Sequence, residues 1–512
     1  MVTMEQPATR AGRREWVGLA MLALPTLLVS LDMSVLFLAL PHLSADLGAS
    51  STQQLWILDI YGFLVAGFLV TMGTLGDRIG RRRLLLIGAS AFTAASLVAA
   101  YSTSAEMLIA ARALLGVAGA TLMPSTLALI SNMFADAHQR AVAIAAWMSC
   151  FMVGTAVGPI VGGVILEFFW WGAVFLLGVP VMLVLLVAGQ RLLPEYRAPV
   201  AGRLDLVSVV LSLAAILPVV WGLKELAAHG WRWPQGLAIA GGLAMGVAFV
   251  WRQRTLADPL VDVRLFRRGA FSTMLLVMML GGVVMAGTFL YVPQYLQTVA
   301  GHSPLQSGLW LAPQALAMIV SAQLAPHLAR RFPVPHVLVV SLLVAAVGCV
   351  VITQVSGTGG ALLLMVGFTL ACVGVAPPTA LGTDLVVGSA PPEKAGSASS
   401  ISETGNELGI ALGLAALGSL GAAVYRAGLV LPTGVPADVA ESAREGVNGA
   451  AAAAGELPSP TGAELLGSAR EAFTEGLNAV GWVGAAVFAA LAVLSATLLR
   501  RQLPRTEPSP PR

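Results

Sequence analysis

Charge is scarce in this sequence: 11% of its 512 residues are Asp, Glu, Lys or Arg, where soluble domains carry ~25%. With 57% hydrophobic residues, that scarcity excludes a water-soluble core, a secreted scaffold and a disordered chain. Lysine is nearly absent, with only Lys224 and Lys394, and the net charge of +3 is too small to attract nucleic acid. The three cysteines, Cys150, Cys349 and Cys372, each lie inside an apolar run. None has CxxC or Cys/His spacing, which excludes a disulfide framework or a zinc centre. A Walker A lysine loop and a nucleophile elbow are both missing, and the six histidines form no ligand cluster. ATP use, catalysis, metal binding and an organic cofactor are therefore not expected.

Long apolar runs are what the chain has. Segments of roughly twenty apolar residues can cross a ~30 Å hydrocarbon layer as helices. The chain divides into fourteen of them at its charged or Gly/Pro-rich points. The first is too long for a signal-peptide core of ~7–15 residues. Most of the 29 lysines and arginines fall in segments on one side if the amino terminus is cytoplasmic, including Arg78, Arg81, Arg82 and Arg83 and the group Arg252 to Arg268. The positive-inside rule then places both termini in the cytoplasm.

An internal echo refines this architecture. Pro41, Trp56 and Leu75-Gly76-Asp77-Arg78 are followed, 252 to 254 residues later, by Pro293, Trp310 and Leu328-Ala329-Arg330-Arg331 in the same order. The expected fold is all-α and polytopic, in a 6+2+6 arrangement. Residues 1–193 form one six-helix bundle, 194–254 two additional helices and 255–512 a second six-helix bundle. Segment 425–476, between the last two spans, is the long external connection, either a tolerated insertion or a flap over an outer vestibule. Two related halves are the pattern of secondary transporters, which rock one half against the other about a midplane site. Without an ATP motif, a gradient must supply the energy.

The turn Gly73-Thr74-Leu75-Gly76-Asp77-Arg78-Ile79-Gly80-Arg81-Arg82-Arg83 is, as bare chemistry, a basic cytoplasmic loop. Its order of residues also resembles the G-x-L-a-D-r-x-G-r-[RK] loop signature of the major facilitator superfamily, at every defining position. Leu31-Asp32 with Leu38-Ala39-Leu40-Pro41 resembles the first-span motif of the fourteen-span drug:proton antiporters, and Arg112 to Ala120 resembles their fourth-span arginine motif. The run Gly154-Thr155-Ala156-Val157-Gly158-Pro159-Ile160-Val161-Gly162-Gly163 is similar to the fifth-span motif of exporters. By itself, a Gly154, Gly158, Gly162 ladder says only that two helices pack closely, kinked at Pro159. Asp258 to Phe266 is also typical of the fourteen-span branch, and Thr52 to Tyr61 looks most like the quaternary-ammonium and antiseptic efflux pumps.

Charges inside spans are the sharper signal, because a carboxylate at the bilayer centre costs ~2.5–3.5 kcal/mol on insertion scales. Asp32, Asp59, Glu403 and Glu407 are the candidates for proton coupling and cation binding. Glu403 and Glu407 lie one helical turn apart, so proton uptake would relieve their mutual repulsion. Arg112, the only base within a span, is expected to order a polar network around Asp32. Gly73, Asp77, Arg78, Gly80 and Arg81 form the candidate loop gate, and Gly154, Gly158, Pro159 and Gly162 the antiporter helix motif. Trp56, Tyr61, Trp147, Tyr291, Tyr295 and Trp310 are candidate cavity aromatics for a cation; belt and packing positions are the alternative.

What the resemblance implies is a proton-coupled exporter of lipophilic cations, of the quaternary ammonium type, working as a monomer in a bacterial inner membrane. Its partners are then small lipophilic cations, protons and the bilayer. The alternatives are a dedicated exporter of an endogenous metabolite, lipid or antibiotic, and a non-transporting membrane sensor. The stretch Ala312 to Ala325 has no acid, which disfavours dications needing an extra negative charge.

Overall fold

The computed structural model describes residues 11–134, 136–197, 205–229, 232–256, 259, 265–267, 269–357, 359–388 and 395–499. Both extreme termini and most of the 258–266 run lie outside them. Among the described residues there are helices and no strand. In chain order the α-helices are α1 (Arg13–Leu47), α2 (Ser51–Ile79), α3 (Arg81–Ala100), α4 (Ala105–Met133), α5 (Ala137–Phe168), α6 (Ala173–Leu176) and α7 (Gly178–Leu192). Next come α8 (Leu206–His229) and α9 (Trp233–Thr255). The rest are α10 (Gly269–Gln294), α11 (Pro304–Arg331), α12 (Val334–Ile352), α13 (Ala361–Gly388), α14 (Ala395–Gly428), α15 (Ala437–Glu445), α16 (Val447–Ala454) and α17 (Ser459–Leu494).

Among the described residues twelve helices are long and apolar enough to cross a membrane, and thirteen if the bent pair Val142–Thr155 and Val157–Phe168 is one span. The described residues of α8 include a further apolar stretch, Leu206–Gly222. The bend in α5 is 42°. Pro159 lacks the N–H that would bond the Thr155 carbonyl one turn earlier, and its ring crowds that carbonyl, so the helix yields there.

Local chemistry explains where helices begin and turn. Ser50 opens α2 with a reciprocal cap, its Oγ accepting from the Gln53 N–H at 3.3 Å while Gln53 Oε1 accepts from the Ser50 N–H at 2.9 Å. Ser303 and Gln306 repeat the device at α11, at 3.3 and 3.0 Å, 253 residues on. Gly80 links α2 to α3 at φ +111°, where a side chain would be strained.

Helix pairing follows one scheme twice. In the first group α1 packs on α5, α2 on α4, α3 on α4 and α7, and α1 on α7; in the last, α10 packs on α14, α11 on α13, α12 on α13 and α17, and α10 on α17. Helices α8 and α9 pair with each other, and α8 also rests on α2 and α14. Phe63 of α2, Val220 of α8 and Ala415 of α14 form a small buried cluster there.

At the far end of that pair Asp205 caps α8, accepting from the Ser208 N–H at 3.1 Å and from Arg252 at 2.9 Å, while Ser208 Oγ donates to it. Burial works against the Asp205 carboxylate, but the bonds from Arg252 and Ser208 outweigh it and hold it below the usual carboxylate range. A group whose folded value is depressed stabilises the fold above its unfolded value of 3.8, and the contribution is lost as pH falls through the folded value. Asp205→Asn should therefore lower stability at pH 7 by about 1 kcal/mol, after allowance for the partly wet Arg252. Thermal unfolding midpoints of variant and native protein should converge only as the pH falls below 3.8, through the depressed folded value.

Candidate functional site

The deepest polar feature joins three helices of the first group. Arg112 of α4 is 1% exposed, and its Nη1 donates to Asp32 Oδ2 of α1 at 2.8 Å. Its Nε donates to the Ile57 carbonyl of α2 at 3.1 Å, and its guanidinium carbon lies 4.6 Å from the centre of the Tyr61 ring. A guanidinium that is charge-paired, hydrogen-bonded to a backbone carbonyl and stacked on an aromatic face is held rigidly. Asp32 thereby sits at a fixed point while keeping a side chain that is 10% exposed. Asp59, on the same α2 turn as Tyr61, is 1% exposed.

Glycines let α5 press on α1 beside this pair. A Cβ at Gly154 would lie 2.5 Å from the Leu27 carbonyl and would also strike Ser30 Oγ; one at Gly158 would strike Ser34 Oγ, and one at Gly162 would lie 2.7 Å from Val35. Ser30 and Ser34 flank Asp32 on α1 and bond the carbonyls of Leu27 and Leu31, at 2.9 and 3.0 Å. These serines were not among the sequence candidates, although their spacing of four, matching that of the glycines, was readable. The other edge of α5 meets α11. A Cβ at Gly163 would lie 2.7 Å from the Pro304 carbonyl and 2.8 Å from Leu305 Cα, and Gly308 abuts the Pro159 carbonyl.

Among the described residues, several contacts join the two helix groups at the end of the bundle opposite the chain's start, the distal end. Gln297 Nε2 donates to the Leu38 carbonyl at 3.0 Å, and Phe37 meets Phe289 at 6.2 Å. Gly418 faces the Leu55 side chain. The α15–α16 hairpin lies over the seam. Ser51 at the start of α2 donates its N–H to Glu445 Oε2 at 3.2 Å, and its Oγ to the Glu445 carbonyl. Tyr425 of α14 anchors the hairpin by donating to the Ala443 carbonyl at 2.7 Å.

At the proximal end the basic turn is a network. Asp77 pairs with Arg81 at 2.6 Å, and Arg81 also reaches the Pro124 carbonyl of α4 at 3.4 Å. Gly73 approaches Pro124, and a Cβ at Gly80 would strike the Glu195 carboxylate. Glu195 accepts from the Arg82 N–H at 3.0 Å, tying the turn to the chain after α7. Glu195 had no motif to mark it. Arg78 is exposed at the surface of this turn.

The remaining candidates are dispersed. Glu403 and Glu407 are in α14, with side chains outside the described residues. Tyr291 donates to the Gly418 carbonyl at 3.0 Å, and Tyr295 donates to the Gly357 carbonyl. Trp310 stacks on His302 at 5.7 Å, Trp56 packs beside the Phe63 cluster and Trp147 is 4% exposed in α5. Among the described residues no group of three His, Cys, Asp or Glu is placed to hold a metal ion.

A duplicated helical pairing, a seam closed at one end, a buried Asp–Arg pair and a glycine-lined fifth helix are the parts of a rocking carrier, and residues 22–414 match the Major Facilitator Superfamily. The chain belongs to the major facilitator superfamily. As a member it is a multi-pass membrane transporter and not an enzyme. It is similar to the multidrug efflux pump LfrA of Mycolicibacterium smegmatis, at 43% identity over 96% of this chain and 98% of the relative. It is also similar to the methyl viologen resistance protein SmvA of Salmonella typhimurium, at 34% over 90% and 93%. Identity with the tetracenomycin C resistance and export protein of Streptomyces glaucescens is 32% over 98% and 95%. A bacterial homolog of the human lysosomal transporter Spinster shares the fold, with TM-score 0.69 at 16% identity over 97% of this chain and 100% of the other. In this major facilitator protein the Arg112–Asp32 pair joins α4 to α1.

Proposed function

We propose that the chain exports lipophilic cations in exchange for protons, across a bacterial inner membrane, with fourteen spans arranged 6+2+6, a single copy as the working unit and both termini in the cytoplasm. The observation that carries this reading is the buried Arg112–Asp32 pair, 2.8 Å long and wedged between α1, α2 and α4. Likeness to the multidrug efflux pump LfrA over 96% of the chain supports the export of drugs. The distal end is the external one by the positive-inside rule, so the bridged seam reads as that of a carrier closed to the outside. A cation entering from that side is held by the carboxylates among Asp32, Asp59, Glu403 and Glu407. After rocking outward, protonation of Asp32 weakens both its bond to Arg112 and its hold on the cation. Such coupling requires that the proton favour one state over the other.

Ethidium and methyl viologen accumulation in inside-out vesicles carrying the protein, with and without an imposed pH gradient, tests the reading. Gradient-driven uptake of ethidium is expected. Similarity to the SmvA methyl viologen resistance protein makes the dication a second expected substrate, against the missing acid in Ala312 to Ala325. Absence of uptake of either cation by correctly inserted protein would instead favour a dedicated antibiotic exporter, a reading that the likeness to the tetracenomycin C export protein supports.

The hairpin within 425–476 reads as a flap in this cycle, because its Glu445 bridges to Ser51 across the seam. A disulfide between cysteines placed by Ser51→Cys and Glu445→Cys should hold the distal end shut. Transport is expected to fall to background on oxidation and to recover on reduction. Undiminished transport in the fully crosslinked protein would show that the flap need not part from α2.

A further inference from the structure

Helices α8 and α9 have so far only an architectural role, yet a deep recess lies beside them. A groove of about 680 Å³ runs between α8, α9 and α14. Its walls include Ala215 and Val219 of α8, Gly246 and Val250 of α9, and Leu408 and Leu412 of α14. Small residues make it deep: a Cβ at Gly246 would meet only the Ala215 Cβ, at 3.7 Å. On these helices the groove opens to the hydrocarbon layer, where an empty apolar recess forfeits contacts that an acyl chain would make.

One end is not apolar. The last turn of α9 divides its polar residues between two faces. Arg252 and Gln253 turn towards α8, bonding Asp205 at 2.9 Å and Ser208 at 2.7 Å. Trp251, 71% exposed, and Arg254 line the groove instead. No described residue forms an ion pair with Arg254. Thus one arginine of the turn is neutralised within the protein, and the other stands at the mouth of an apolar groove beside an interfacial tryptophan. An arginine fork matches phosphate geometry. Basic sites at the cytoplasmic ends of helices meet the leaflet that is rich in anionic lipid. A lipophilic cation would be repelled at the same mouth.

We infer that this groove binds one acyl chain of an anionic glycerophospholipid, with Arg254 beside the headgroup phosphate, where a net-anionic headgroup meets its charge and a zwitterionic one offsets it with its own cation. The lipid would bridge the additional helix pair to α14, beside the Phe63–Val220–Ala415 cluster that joins α8 to both halves. The site does not depend on what the carrier exports.

The test is lipid titration of the purified full-length protein in detergent, followed by native mass spectrometry. Phosphatidylglycerol and phosphatidylcholine of identical acyl chains are the probes. One arginine near the surface favours anionic lipid by about fivefold, so at least that preference is expected for the native protein. Arg254→Gln, at an exposed position, should fold normally and bind the two lipids equally. Gly246→Leu should fill the groove and lose the bound lipid, whichever headgroup it carries. Equal binding of the two lipids by native protein would overturn the assignment, as would a preference that survives Arg254→Gln or lipid retention in Gly246→Leu. Conversion of a dimer to a monomer by Gly246→Leu would also overturn it, by making a second copy the occupant.

Discussion

Asp32→Asn is expected to bring gradient-driven cation uptake to background and to lower stability by about 3–5 kcal/mol, because it leaves the Arg112 guanidinium buried without its counter-charge. Arg112 is 1% exposed, and its two other supports, the Ile57 carbonyl and the Tyr61 ring, solvate the cation without neutralising it. A single variant would therefore confuse lost folding with lost coupling. The double variant Asp32→Asn with Arg112→Met separates them, since replacing both members of a buried pair with uncharged groups is often neutral or stabilising. It should recover most of the thermal stability and none of the transport. If uptake under a pH gradient returns together with stability, Asp32 is a structural partner of Arg112 and the proton site lies elsewhere.

Gly163→Ala is expected to open the distal end. The added Cβ would lie 2.7 Å from the Pro304 carbonyl and 2.8 Å from Leu305 Cα. Both are backbone atoms of the other half, and neither can rotate away. Overpacking of this kind costs about 1–3 kcal/mol, and the state in which α5 and α11 part at that end does not bear it. The equilibrium should move about 5–150-fold towards the outward-open form. Thiol labelling of a cysteine introduced at Ser51 would register the shift as faster reaction from outside. Gly154→Ala is the matched comparison. Its Cβ meets the Leu27 carbonyl at 2.5 Å, but α1 and α5 belong to one half and stay packed in both states. That variant should lose stability without changing the labelling rate. Equal effects of the two substitutions would remove α5–α11 packing from the gate.

Much of this arrangement was legible before any coordinates. Hydropathy marks helices because a bilayer offers no partner for unpaired backbone groups. Pro159 foretold the bend in α5, since a proline removes the same hydrogen bond in any helix. The repeat had a further mark in Ser50-x-x-Gln53 and Ser303-x-x-Gln306, whose reciprocal caps start α2 and α11. How α8 and α9 sit against the two halves is where hydropathy alone weakens, for the packing of α8 on α2 and α14 is a tertiary matter.

The candidate site divides in the same way. Arg112 and Asp32 stand out in sequence because an ionised group in a span is costly unless it has a partner. That they are each other's partners depends on α1 and α4 lying side by side, eighty positions apart in the chain. Sequence also could not show that Tyr291 and Tyr295 donate to the carbonyls of Gly418 and Gly357, because a hydroxyl's partner is a distant backbone atom with no side-chain signature. Glu195 was invisible for a similar reason: it acts through the N–H of Arg82.

By itself, then, the sequence determined that this is a duplicated bundle of membrane helices of the major facilitator superfamily, with a few charges buried in its spans. Periodicity, hydropathy and local capping act between neighbours in the chain and leave their mark in composition. Only the tertiary structure decided which charge meets which, that Gly163 faces the opposite half while Gly154 faces its own, and that Arg252 turns to Asp205 while Arg254 lines the groove. Those outcomes depend on which face of one helix abuts which face of another, and no residue type encodes that choice alone.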